Sequence, residues 1–212
     1  MPTTRLILIR HGHTASNGTD GARMSGRTDV PLSARGRAEI ARLCDRLRGT
    51  APFAAIYTSP LQRAHRTALA LAGAGLGRVR ICAALQEIDC GVLDGVPLSD
   101  VQQRFPALWA ANCRQDDERF RWPGGESYRE LRCRSLQAVR AVARAHPGAR
   151  VALVTHAGVI SQIVGAIEGV SPARWECHRP ANTALTEIDW GRGEGVVVRF
   201  DDRGHLGGGR LR

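Results

Sequence analysis

A three-layer α/β/α sandwich around a mostly parallel sheet is the fold this sequence predicts. Three observations carry that prediction. Segments of strand period and helix period alternate along the chain, the pattern left by helices crossing over a parallel sheet. Wholly apolar runs such as Leu6-Ile7-Leu8-Ile9 and Val151-Ala152-Leu153-Val154 mark strands covered on both faces. Those strands then end in polar groups, Arg10-His11-Gly12 and Thr155-His156, at the edge where open α/β sheets hold ligands.

The elements follow in order. The first strand runs into Arg10-His11-Gly12-His13-Thr14, where the glycine permits a sharp turn. Ser33 can cap a helix in which Ile40, Leu43, Cys44 and Leu47 recur at helical spacing. Phe53 to Tyr57 reads as a short strand ending at Thr58-Ser59-Pro60, followed by an Ala- and Leu-rich helix from Leu61 to Ala72. Gly73–Gly77 breaks that helix before a strand at Val79–Ala83.

From Ile88 to Glu126 the pattern is less regular. One helix over Ser99–Ala111 carries Val101, Phe105, Leu108 and Trp109, and polar Arg114 to Arg121 leads to a Pro123-Gly124-Gly125 turn. Residues 88–126 are expected to form a lid insertion over the active site, not a separate domain. Ser127-Tyr128-Arg129-Glu130 fits a capping box and opens a helix towards His146 that Pro147-Gly148 ends. After the Val151–His156 strand, Gly158 precedes a helix carrying Val159, Ile160, Ile163, Val164 and Ile167. Thr186, Ile188 and Trp190 alternate with Glu187 and Asp189, and Val196–Phe200 reads as their partner across a Gly-Arg-Gly turn. The Gly207–Gly209 end is expected to be loose.

With 212 residues the chain suits one domain, 1–212. Its 43% hydrophobic and 24% charged content is that of an ordinary globular protein, and no apolar run is long enough to span a membrane. With no signal peptide before the first strand, a cytoplasmic location is expected. The net charge of +10 comes from 30 arginines and no lysine. A positive field favours anionic substrates. Nucleic acid is not the expected partner, because the arginines are scattered and only 5% of residues are aromatic. The six cysteines show no C-x-x-C pair and are expected as thiols, with Cys44 and Cys82 as small core residues.

The site candidates stand at strand ends: Arg10-His11-Gly12, Ser59 with Arg63 beyond it, Glu87, and His156. Each alone has an ordinary reading as a solvated or capping group; four at one sheet edge point to convergence. The residues also carry a resemblance. Arg10-His11-Gly12-His13-Thr14-Ala15-Ser16-Asn17 resembles the R-H-G-x-T-x-x-N signature of the histidine phosphatase superfamily, which includes the cofactor-dependent phosphoglycerate mutases. Gly26-Arg27-Thr28-Asp29-Val30-Pro31-Leu32-Ser33 is similar to its G-x-x-D-x-P-L-T element, and Ser59-Pro60-Leu61-Gln62-Arg63-Ala64 to S-x-L-x-R-A. Leu85-Gln86-Glu87-Ile88, Pro123-Gly124-Gly125-Glu126-Ser127, Val154-Thr155-His156-Ala157-Gly158 and the His205-Leu206 tail continue it in order over nearly the whole chain.

The resemblance implies a phosphoglycerate mutase-like fold and a metal-independent phosphomonoesterase. His11 would be the nucleophile, forming a phosphohistidine through one ring nitrogen while a carbonyl holds the other. Arg10 and Arg63 would grip phosphate oxygens with planar forks, joined by Asn17 and by His156 if it is protonated. The amides at the start of the helix near Gly158 would add to that grip. Glu87 would protonate the leaving alkoxide and later deprotonate water. Arg23, Gly26 and His13 are the expected substrate contacts, His13 standing where the family carries Glu or Gln. The expected partner is a small phosphorylated metabolite, with no cofactor, metal, nucleic acid or membrane; base rates favour a homodimer among oligomers.

Three rivals remain open at this point. The His11-x-His13 pair can open a metallohydrolase site. The fold can serve a non-catalytic phospho-ligand binder, or a mutase. Arg104, Arg114, Arg119 and Arg121 can bind a second anionic group of the substrate, against the plainer reading of each as a solvated charge.

Overall fold

Along the chain, β1 (Thr4–Arg10), α1 (Ala34–Leu47), β2 (Ile56–Thr58), α2 (Gln62–Gly73) and β3 (Val79–Ile81) come first. Then follow α3 (Leu98–Arg104), α4 (Pro106–Arg114), α5 (Tyr128–Ala145), β4 (Arg150–Thr155), α6 (Ala157–Ile167), β5 (Leu185–Gly191) and β6 (Glu194–Asp202). The computed structural model describes residues 2–17, 22–191 and 193–207. The strands join in one sheet, ordered β3-β2-β4-β1-β5-β6. The first four strands run parallel, while β5 is antiparallel to β1 and β6 to β5.

Strand period explains the three layers. Successive side chains point to opposite faces of a sheet. Leu6, Leu8, Val151 and Leu153 accordingly join one buried cluster with Val139 and Val142 of α5 and Ile160 and Ile163 of α6. Ile7, Ile9, Ala152 and Val154 join the other, with Leu43 and Leu47 of α1 and Ala68 and Leu71 of α2. Each such leucine or isoleucine contributes about 1.5–3 kcal/mol by leaving water. The central strands are therefore fixed from both sides, and their ends are rigid supports.

The caps read from sequence are formed. Ser33 Oγ accepts from the Gly36 amide at 3.1 Å, and Ser127 and Glu130 make both halves of the capping box. The helix expected over Ser99–Ala111 divides into α3 and α4. Pro106 disfavours helical geometry at Phe105, which sits at φ −132°, ψ 53°. The strand expected at Phe53–Tyr57 lies at Ile56–Thr58, although Phe53 and Ala55 are still buried. The strand expected to reach Ala83 stops at Ile81, because Ala83–Leu85 coils into a single 3₁₀ turn. Cys44 is buried as expected, Cys82 only half-buried, and all six cysteines are free thiols.

The 88–126 segment has its own small core of Cys90, Leu93, Val101 and Trp122 with Met24. The expected loose end falls partly outside the described residues, as does Arg192 in the β5–β6 turn. Among the described residues, no helix is long and apolar enough to cross a membrane.

Candidate active site

Parallel pairing brings the two strand-end histidines together. Arg10 of β1 stands opposite Thr155 of β4, so the next residues, His11 and His156, leave the sheet side by side. The His11 amide extends the ladder to Thr155 O at 3.0 Å, and the two imidazole centres are 5.1 Å apart. On the other side of β4, Thr58 pairs with Val154, which places Ser59 Oγ 2.8 Å from His156 Nε2.

His11 is held in one tautomer. Its Nδ1 donates to the Gly12 carbonyl at 2.8 Å, and a carbonyl can only accept, so Nδ1 carries the proton. Nε2 keeps its lone pair, with no hydrogen bond among the described residues, and the side chain lines the main pocket. Burial pushes the His11 pKa well below the usual histidine range, and the Arg63 and Arg10 charges push the same way. The imidazole is therefore neutral at neutral pH. His156 is likewise held neutral, first by burial and then by Arg63. Its expected role as a cationic donor depended on protonation, which this burial disfavours.

Arg10 and Arg63 enclose the same space. Arg10 Nη1 donates to Pro180 O at 2.7 Å, and among the described residues its Nε is buried without a partner, as is His156 Nδ1. Such orphaned buried groups are costly, and an anion's oxygens would satisfy them. Burial, with Arg179 nearby, lowers the Arg10 pKa to about 10, which leaves it fully charged at neutral pH. Arg63 sits in the first turn of α2 and donates to the carbonyls of Thr28, Ser25 and Gly26 at 2.7–3.1 Å.

Glu87 closes the pocket opposite. Its carboxylate accepts from its neighbour Ile88 N at 2.9 Å and from Gly158 N at 3.1 Å, one of the free amides at the α6 N-terminus. The amides at this helix start were expected to grip phosphate; the Glu87 carboxylate takes the one at Gly158. A Cβ at 158 would push the Glu87 carboxylate out of this position, so the glycine lets carboxylate and amide meet. Behind Glu87, Arg134 of α5 donates to the carbonyls of Ala84, Gln86 and Glu87 and makes a two-pronged pair with Glu126.

The other expected residues divide. Asn17 and Gly26 line the pocket. Arg23 does not: it is exposed and donates to Gly95 O at 2.8 Å. His13 also turns away, its Nδ1 lying 2.9 Å from Ser33 Oγ. His11 and His13 therefore do not face a common point, and among the described residues no group of three or more His, Cys, Asp or Glu is gathered to hold a metal ion. Arg104, Arg114, Arg119 and Arg121 are absent from the pocket wall.

Sequence reading missed the loop before β5. Because β5 runs antiparallel to β1, its start lies at the edge where the parallel strands end. Residues 168–184 thus reach the site. Asn182 donates to His11 O at 2.9 Å and Asn17 Oδ1 at 3.2 Å, while Trp175, Glu176 and Arg179 line the pocket. The available signal was the hairpin itself, whose first strand had to return to that edge.

Comparison with known proteins agrees with this geometry. The sequence profile of the histidine phosphatase superfamily (branch 1) matches residues 6–203. A metal-independent phosphoserine phosphatase of Arabidopsis thaliana is 31% identical, over 96% of this chain and 83% of that protein. Phosphoglycerate mutase-like protein 4 of the same plant is 28% identical, over 95% of this chain and 86% of its own. Among solved structures, a mycobacterial glucosyl-3-phosphoglycerate phosphatase superposes with a TM-score of 0.82 at 25% identity, covering 94% of this chain and 99% of that one.

Proposed function

Since the chain belongs to the histidine phosphatase superfamily, we propose that it is a metal-independent phosphomonoesterase working through a phosphohistidine at His11. The observation that carries this reading is the His11 tautomer: Nδ1 is tied to Gly12 O, and Nε2 is unprotonated beside two buried guanidiniums. In the first step Nε2 attacks phosphorus and the P–O bond to the alcohol breaks. The departing oxygen takes its proton from the Glu87 carboxyl. In the second step water attacks the phosphorus, Glu87 takes the water's proton, and the N–P bond breaks to release inorganic phosphate.

Phosphoryl transfer asks mainly for positioning and charge stabilisation, which Arg10 and Arg63 supply in place of a metal. His156, Asn17 and the pocket face of Gly26 complete the phosphate end. The 88–126 segment serves as a roof over the pocket, contributing Trp109 and Trp122 to its wall.

Phosphate release from simple phosphomonoesters tests the reading. Activity should resist a chelator and disappear in His11→Ala. Release that survives this substitution would remove His11 from the nucleophile's role.

A further inference from the structure

The pocket is much larger than a phosphate group and changes character away from it. Its volume is about 320 Å³, and three of the chain's four tryptophans line it: Trp109, Trp122 and Trp175. Tyr128 joins them, stacked on Trp175 with ring centres 6.1 Å apart and planes 17° from parallel. In a chain with only 5% aromatic residues, this concentration makes a flat-walled, apolar chamber.

The Tyr128 hydroxyl donates to Asn112 Oδ1, which fixes its ring in the wall. Trp175 is held in place, since the Ser161 hydroxyl of α6 donates to its carbonyl. The one carboxylate at the far end, Glu176, is exposed and already faces Gln115 at 3.1 Å and Arg179 at 3.8 Å.

Resting on the phosphomonoesterase reading above, we infer that the substrates are phosphate esters of planar aromatic or heteroaromatic alcohols. The ring stacks in the tryptophan-walled chamber.

Esters whose alcohols have similar acidity separate binding from intrinsic reactivity, so benzyl phosphate is compared with n-butyl phosphate, with phosphocholine as a non-aromatic cationic control. Benzyl phosphate should exceed both in kcat/KM by at least about tenfold, the scale expected of aromatic stacking plus burial. Trp175→Ala should collapse the benzyl-to-butyl ratio towards one; Trp175→Phe, which keeps an aromatic wall, should keep that ratio. Equal rates for benzyl and butyl esters, a preference for phosphocholine, or a ratio unmoved in Trp175→Ala would overturn the inference.

Calorimetric binding of benzylphosphonate against n-butylphosphonate, which cannot be hydrolysed, reads the chamber without catalysis. Selective binding without turnover of any ester would support the chamber and refute the phosphatase reading. Equal binding would refute the chamber.

Discussion

Replacing Arg134 with methionine removes a guanidinium that makes five hydrogen bonds, three to carbonyls at residues 84, 86 and 87 and two to the Glu126 carboxylate. Both partners are largely shielded, with side-chain exposures of 19% and 11%. The substitution leaves Glu126 as an uncompensated charge, a change that costs about 3–5 kcal/mol in buried pairs. For a domain of this size that corresponds to a fall in Tm of roughly 6–20 °C. The three carbonyls belong to the segment that carries Glu87, so the proton donor should lose its alignment as well. Chemical denaturation of Arg134→Met, Glu126→Gln and the double variant reads the first effect. The double variant should be more stable than the sum of the singles, because it leaves no stranded charge. Rates on 4-nitrophenyl phosphate, whose leaving group departs without a proton, and on an alkyl phosphate, whose leaving group needs one, read the second. The alkyl ester should lose at least about tenfold more than the nitrophenyl ester. A wild-type unfolding midpoint, or equal losses on the two esters, would refute this positioning role for Arg134.

Glu87→Gln keeps the shape but cannot donate a proton, so turnover of alkyl phosphates should fall by about 10²–10⁴ while 4-nitrophenyl phosphate loses far less in its first step, as a burst assay would show. Equal first-step losses would remove the proton role. Arg63→Lys cannot span the three carbonyls that Arg63 now bonds, and kcat/KM should fall by more than about tenfold across all substrates. A loss confined to some esters would mean that Arg63 reads the alcohol instead. The histidines set a pH signature. His11 and His156 both titrate lower in the folded protein than unfolded. The unfolded chain therefore takes up their protons first as pH falls. Stability should be full above about pH 6.5 and decline below it, by roughly 1.4 kcal/mol per pH unit for each histidine, until they protonate in the fold. The acid limb of kcat/KM should likewise lie below the usual histidine range. Denaturant midpoints equal at pH 7.5 and 5.5 would contradict buried neutral histidines.

Much of this was legible in the sequence because the parallel strands write their ends plainly. An apolar run closing on Arg10-His11 or Thr155-His156 declares both strand and site, and pairing does the rest. The break at Phe105-Pro106 was also legible, since the proline stands in the run, but the apolar spacing of Val101, Phe105 and Leu108 masked it. Long-range returns were harder to see. Trp175, Arg179 and Asn182 sit in an irregular stretch with no periodicity, and only the antiparallel direction of β5 carries them to the pocket. Arg134 was hidden for another reason: α5 also carries the exposed Arg129, Arg140 and Arg144, and nothing local marks the arginines that turn inward. His13 adjoins His11 in sequence yet faces Ser33.

The proposed mechanism turns on a phosphoryl group carried by His11, so rapid quenching during turnover is the most direct measurement. Peptide mapping by mass spectrometry should then find one added phosphoryl group on His11, labile to acid and stable to base. Glu87→Gln should accumulate it with an activated ester, because the water that clears it lacks its base. Turnover with no phosphorylated His11 at any quench time in either protein, or with the label on another residue, would contradict the mechanism at its first step.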